Sequence, residues 1–271
     1  MKITKQMLVR FFGERFYDQA AQTAYYLLLS AIPFIIFMLS LISFFPIDQQ
    51  AILDFARPYA PGESFDLIEE NVNAVLSAGK GQVLSLSLVS TFWLSSMAVQ
   101  SLGRSLNDAN GIERDLPFWK GLLRDFGVTL IFMIMVPLSL VIPLLEKVLR
   151  WIVAQSDTIE HWSGWLDIWP AAQWGIGSLF LLLFFIAFYK ILPNERQTVR
   201  FVLPGAIFAA LGWQVVSWLF GTYASAFSYT RLYGQLSGII VLVLWFYLTA
   251  VVILLGGLLN AEKARKEERT H

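Results

Sequence analysis

Six stretches of this chain, residues 19–47, 81–103, 126–145, 168–189, 201–230 and 232–261, contain no charged side chain, and a charge bounds each of them. A helix that crosses a hydrocarbon core of about 30 Å needs about 20 mostly apolar residues, and every stretch is long enough. Apolar residues follow one another without alternation, as in "SLFLLLFFIAFY" from Ser178. That pattern excludes the alternating strands of a membrane barrel and leaves helices, which pair every backbone group within their own segment. The sequence therefore predicts an all-α polytopic helical bundle with six transmembrane helices, at about 22–45, 81–103, 126–145, 169–189, 202–224 and 236–259. The longest connection, 48–80, is too short for a soluble domain of ordinary size, so residues 1–271 read as one membrane domain. Composition agrees, with 56% hydrophobic and 15% charged residues, against about a quarter charged in soluble domains.

The first run is too long for the core of a signal peptide, and the bulky Ser43-Phe44-Phe45-Pro46 that ends it offers no cleavage pattern. It reads as a retained helix. Lys and Arg near helix ends stay on the cytoplasmic side. Of the 20 basic residues, fifteen fall in the N-terminal segment, the second and fourth connections and the tail; only Arg57, Lys80, Lys147, Arg150 and Arg231 fall in the alternate connections. Both termini are therefore expected in the cytoplasm, with 260–271 as a cytoplasmic tail.

Residues 1–18 mix basic side chains with Met7, Leu8, Phe11, Phe12, Phe16 and Tyr17. This suits a helix lying in the inner headgroup region or a helical extension of the first span. In the first outer connection, Phe65, Ile68, Val72 and Val75 recur at helical spacing after Pro61-Gly62, as an amphipathic surface helix would. Trp151, Trp162, Trp165, Trp169 and Trp174 cluster around the third connection and read as interfacial anchors.

Polar residues inside spans usually face other helices or a hydrated path. In the second span Ser96, Gln100, Arg104 and Asn107 share one helical face. The first span opens with Asp18, Gln22, Tyr25 and Tyr26 and continues to Ser30 and Pro33, which frees a carbonyl and invites a kink. The fifth span carries Gln214, Ser217, Gly221 and Ser225, and the sixth Thr249, Gly256 and Asn260. The Gly and Ser positions, with Gly234-x-x-x-Gly238, suit close helix packing. Gln100, Arg104, Gln214 and Arg231 are assigned to function, since tight packing needs no long polar side chain. Arg231 stands near a turn in "SYTRLYGQLSG", beside Tyr233 and Gly234, where it either binds an anionic group or snorkels to the outer headgroups.

The chain has no cysteine, two histidines (His161 and His271) and zero formal net charge. Disulfides, thiolate catalysis and Cys-based zinc sites are excluded, and no global field attracts nucleic acid. No metal or other cofactor and no nucleic-acid partner is expected. No GxxxxGK[ST] loop occurs, so ATP hydrolysis within this chain is not expected.

Four stretches resemble the YihY/BrkB membrane proteins, once labelled ribonuclease BN. They are "AAQTAYYLLLSAIPFIIF" from Ala20, "STFWLSSMAVQSLGRSLNDANGIE" from Ser90, "LPNERQTVRFVLPGAIFAALGWQ" from Leu192 and "YTRLYGQLSGIIVLVLWFYLTAVVILLGGLLNAE" from Tyr229. The resemblance implies a six-helix protein of the bacterial inner (plasma) membrane, linked to envelope integrity or to moving lipid-linked envelope material. Two readings follow. One is a transporter or lipid translocator with a polar path between helices, whose partners are membrane lipids and an anionic or amphiphilic lipid-like substrate. The other is a scaffold that supports the envelope without transport. Ribonuclease chemistry is not expected, because metal-assisted RNA cleavage needs clustered carboxylates or histidines, and the two histidines fall on opposite sides of the membrane in this topology.

Overall fold

Apolar runs set where helices begin, but the helices continue past the charges that bound those runs. The computed structural model describes residues 2–42, 80–112, 118–139, 163–195, 197–226 and 237–268. Among the described residues there are seven α-helices and no strand. We number them α1 (Lys2–Gly13), α2 (Phe16–Ile42), α3 (Lys80–Asn110), α4 (Phe118–Ser139), α5 (Ser163–Ile191), α6 (Val199–Ala226) and α7 (Ser237–Glu268).

Five segments in the described residues are long and apolar enough to cross a membrane: Phe16–Ser40, Gln82–Asn110, Trp174–Ile191, Val199–Thr222 and Gly238–Glu267. The third uncharged run lies in α4 as far as Ser139, and its remainder, 140–145, lies outside the described residues. The fold is an all-α membrane bundle. Helix ends differ from the expected span ends because hydropathy reports where lipid stops, whereas capping decides where a helix stops. α3 shows this, running through Arg104 and Asn107 to a C-terminal cap at Gly111. Gly111 adopts φ 70°, its N–H reaches Asp108 O at 3.2 Å, and the Ile112 N–H reaches Asn107 O at 3.0 Å. This paired closure satisfies carbonyls that the helix end would otherwise orphan.

α1 is a separate helix. After Gly13 the Glu14 N–H closes on Arg10 O at 2.8 Å, and Arg15 takes φ 60°, a left-handed conformation that reverses the chain into α2. Asp18 in the first turn of α2 complements that helix's positive end. α2 runs through Pro33 to Ile42.

α7 is the centre of the bundle, packing against α1, α2, α3 and α6. α2 pairs with α3, α5 with α6, and α4 lies against α3. The interior is built from small residues, with Ala20, Ala24, Ala98, Ala206, Ala209 and Ala250 buried, while Ile32, Leu86, Trp93, Leu211 and Trp218 stand exposed. Water would disfavour so apolar a surface; lipid does not, and small interior residues let helices approach closely. Arg10 of α1 lies 3.0 Å from Glu262 of α7, so the two described ends of the chain meet at one end of the bundle. Arg124, Arg200 and Arg265 gather at the same end, on the face to which the basic residues were counted.

Candidate functional site

At that end α3, the 192–198 connection, α6 and α7 converge on a small polar cluster. Asn107, buried on α3, accepts the backbone N–H of Asn194 through Oδ1 at 2.8 Å. Asn260, buried on α7, accepts the backbone N–H of Gly205 at 2.7 Å. Gly205 is required here because a side chain would strike the Gly256 carbonyl and the Asn260 amide, so α6 and α7 touch backbone to backbone. Tyr189 of α5 completes the wall. It is buried against Gly256 and donates its hydroxyl to Ile253 O at 2.6 Å.

Between these groups lies a cavity of about 10 Å³, walled by Asn110, Tyr189, Pro193, Gln197 and Asn260 among others. Its volume is that of about one water molecule. Asn107 Nδ2 and Asn260 Nδ2 are both buried and have no hydrogen-bond partner among the described residues. The cluster thus presents amide donors without acceptors.

Cations fix the connection and the helix ends around it. Arg124 of α4 donates to Asn194 Oδ1 at 2.5 Å and to Asp125 Oδ1 at 2.9 Å, and its buried Nε has no partner among the described residues. Arg10 donates to the Ala109 carbonyl at 3.0 Å, to Glu262 at 3.0 Å and to Glu14 at 2.7 and 2.8 Å. Arg265 reaches the same carbonyl at 3.5 Å. Ala109 O belongs to the last turn of α3, where carbonyls lack helical partners and carry the negative end of the dipole, so two guanidinium groups are well matched to it.

The hydrogen bond from Arg10, opposed by partial burial, holds the Glu14 carboxyl below its usual range. Burial works against charge on Arg10, but hydrogen bonds to Glu14 and Glu262 outweigh it and raise the Arg10 pKa. Because folding lowers the Glu14 pKa, its stabilising contribution is complete above the ordinary carboxylate value and is lost as the pH falls through the folded value. Amide exchange in α1, corrected for its intrinsic pH dependence, should therefore accelerate below about pH 4. Protection unchanged down to pH 3 would remove Glu14 from the docking of α1.

Of the residues singled out in the sequence, the structure brings Asn107 and Asn260 to this cluster. Arg104 sits one turn before Asn107, half-buried, without a hydrogen bond or ion pair among the described residues. Gln100 donates to Ser96 on its own helix at 3.0 Å. Gln214 accepts from Ser178 of α5 at 3.1 Å and lies nine residues beyond Gly205, about 13 Å along α6. It is an interhelical bond in another layer. On α2, Asp18 is exposed beside Arg15 at 3.6 Å, Gln22 bonds Tyr26 at 3.5 Å, and Tyr25 faces outward. The buried side of α2 is instead Ala20, Thr23, Ala24 and Ser30, with Thr23 bonded to Ser101 of α3 at 3.0 Å. Small side chains, rather than the polar and aromatic stripe, mark the packed face. Pro33 is half-buried within α2. Arg231, Tyr233 and Gly234 lie outside the described residues, as do the amphipathic helix expected at 65–75 and Trp151 and Trp162. Sequence reasoning missed Arg10, Arg124, Tyr189, Asn194, Gly205 and Glu262. Asn194, Gly205 and Glu262 carried a hint, the first two standing within the stretch from Leu192 that resembles the membrane family and Glu262 ending the stretch from Tyr229.

The profile of the family described as virulence factor BrkB matches residues 7–271, which include every residue of the cluster. The chain belongs to the virulence factor BrkB family. It is 35% identical over 262 residues to the ribonuclease-like protein YfkH of Bacillus subtilis (strain 168), covering 96% of this chain and 94% of that protein. It is 26% identical over 265 residues to a UPF0761 membrane protein of Xanthomonas oryzae pv. oryzae (strain PXO99A), covering 94% of this chain and 59% of that one. A UPF0761 membrane protein of Xanthomonas campestris pv. campestris (strain B100) matches at 26% over 257 residues, covering 91% and 57%. This BrkB family chain thus spans less than three fifths of those Xanthomonas relatives. No solved structure matches. With relatives named as membrane proteins and five apolar helices of spanning length, it is a multi-pass bacterial membrane protein.

Proposed function

We propose that this BrkB family protein is a translocator of an anionic, amphiphilic component of the cell envelope, acting in the inner membrane through a polar path between helices. The observation that supports this is the pair of buried amide donors, Asn107 Nδ2 and Asn260 Nδ2, left without acceptors among the described residues, with Asn260 lining a cavity of about 10 Å³. An unsatisfied buried donor costs about 1–3 kcal/mol, and packing alone gives no reason to keep two. A path that receives oxyanions does give one. Arg104, one turn from Asn107 and without an ion pair among the described residues, supplies the charge. The narrow cavity is read as the path in its closed state.

The test is reconstitution into liposomes carrying a fluorescent anionic phospholipid, with quencher added outside. Wild-type protein should accelerate exchange between leaflets, whereas Arg104→Ala and Asn260→Leu should slow it at least ten-fold while remaining folded. Complementation should likewise suffer more from Arg104→Ala and Arg231→Ala than from loss of any one tryptophan of the third connection. Exchange no faster than in empty liposomes, with full complementation by Arg104→Ala, would favour the scaffold reading. Direct interhelical bonds support that second reading: Thr23 to Ser101, Ser178 to Gln214, and Trp245 to Ser217 at 3.3 Å all serve a static bundle. A nuclease is not proposed, since the described residues bring together no cluster of carboxylates or histidines of the kind metal-assisted cleavage uses.

A further inference from the structure

A second, larger hollow lies away from the polar cluster, between α1 and α7. It is a groove of about 510 Å³ lined by Phe11, Phe12, Tyr17, Tyr247, Leu248 and Val251. That is a common volume for a small-molecule site. Among the described residues no charged side chain lines it, and Tyr17 and Tyr247 are the lining residues that carry a polar side-chain group.

α1 has more apolar surface than docking needs. Met7 and Phe11, four residues apart, are buried against the bundle. Leu8 and Val9 face away from it and are 44% and 62% exposed, and Phe12, at the groove, is 65% exposed. α1 also carries Lys2, Lys5 and Arg10 and no acidic residue. A short helix that is apolar on its free side and basic without acids suits the boundary between headgroups and acyl chains. Arg10 is already engaged with Glu14 and Glu262. Lys5 is exposed and without a partner among the described residues; it lies two turns from Phe12 on the same face, about 10 Å along the helix.

We propose that the groove between α1 and α7 holds one acyl chain of an anionic glycerophospholipid, with Lys5 drawing its headgroup. The apolar walls take the chain, the two tyrosine hydroxyls suit its ester oxygens, and the acid-free helix selects negative charge. This resident lipid is independent of whether the protein moves a cargo of its own.

The experiment uses the whole protein in phosphatidylcholine vesicles doped with either phosphatidylglycerol or phosphatidylcholine bearing a photoactivatable acyl chain, followed by peptide mapping. Label should concentrate on α1 and on residues 247–251, with phosphatidylglycerol above phosphatidylcholine. Val251→Trp, which fills the groove, should reduce that label at least five-fold and leave label on the outward Leu211 and Trp218 face of α6 unchanged. Leu248→Trp, at another lining residue, provides the same reading if Val251→Trp does not fold. Lys5→Gln should lower the phosphatidylglycerol signal roughly five-fold, the effect of one basic residue at an anionic surface, and leave the phosphatidylcholine signal as it was. Label spread evenly over all outward helix faces, label unaffected by either tryptophan, or a groove filled by another segment of the same chain would each overturn the proposal.

Discussion

Gly205→Ala should lower the melting temperature of the purified protein sharply and loosen α6 from α7. The new methyl group would strike the Gly256 carbonyl and meet both side-chain atoms of the Asn260 amide at 2.5 Å, and the carbonyl is rigid backbone. Overpacking of this kind costs about 1–3 kcal/mol or more. The bond from the Gly205 N–H to Asn260 would be strained as well, so the buried amide would lose its one partner. Gly257→Ala is the control, since its methyl meets first the end of the Leu106 side chain, which can rotate away. Equal losses for the two variants would mean that the backbone contact does not set the stability of the α6–α7 pair.

Arg10→Ala should release α1 from the bundle. Arg10 and Glu262 are 12% and 10% exposed, and removal of Arg10 leaves the enclosed Glu262 carboxylate with only the more distant Arg265, at 3.6 Å, among the described residues. Such truncations cost about 3–5 kcal/mol when burial is complete, and the residual exposure here argues for the lower end, about 3 kcal/mol. The Ala109 carbonyl loses a donor in the same step. Arg10→Ala with Glu262→Ala should recover part of the loss, because the charges then left without these partners, Glu14 and Arg265, are 47% and 39% exposed and can be hydrated. Thermal melting of the single and double variants, with protease cleavage within α1 as a local readout, measures this. A double variant no better than Arg10→Ala alone would show that the pair is not what seats α1.

The helices could be read from the sequence because lipid leaves so few choices: an uncharged run of this length must pair its backbone within itself, and α2, α3, α6 and α7 follow directly. Asn107 and Asn260 were also visible, as amides where apolar residues are expected. Their partners were not, because the N–H groups of Asn194 and Gly205 are backbone and carry no compositional signal. The Arg10 and Glu262 pair was hidden for a different reason. Its members are 252 positions apart, and each reads as an ordinary solvated charge at a chain end. The face of α2 misleads in a third way, since Asp18, Gln22 and Tyr25 attract notice by polarity while Ala20 and Ala24 do the packing.

The Ala109 carbonyl is gripped by Arg10, from the first of the described helices, and by Arg265, from the last of them. Biogenesis has a fixed order as a result. α1 leaves the ribosome before α7 yet has no complete seat until α7 has been inserted, so closure of this end of the bundle waits for α7.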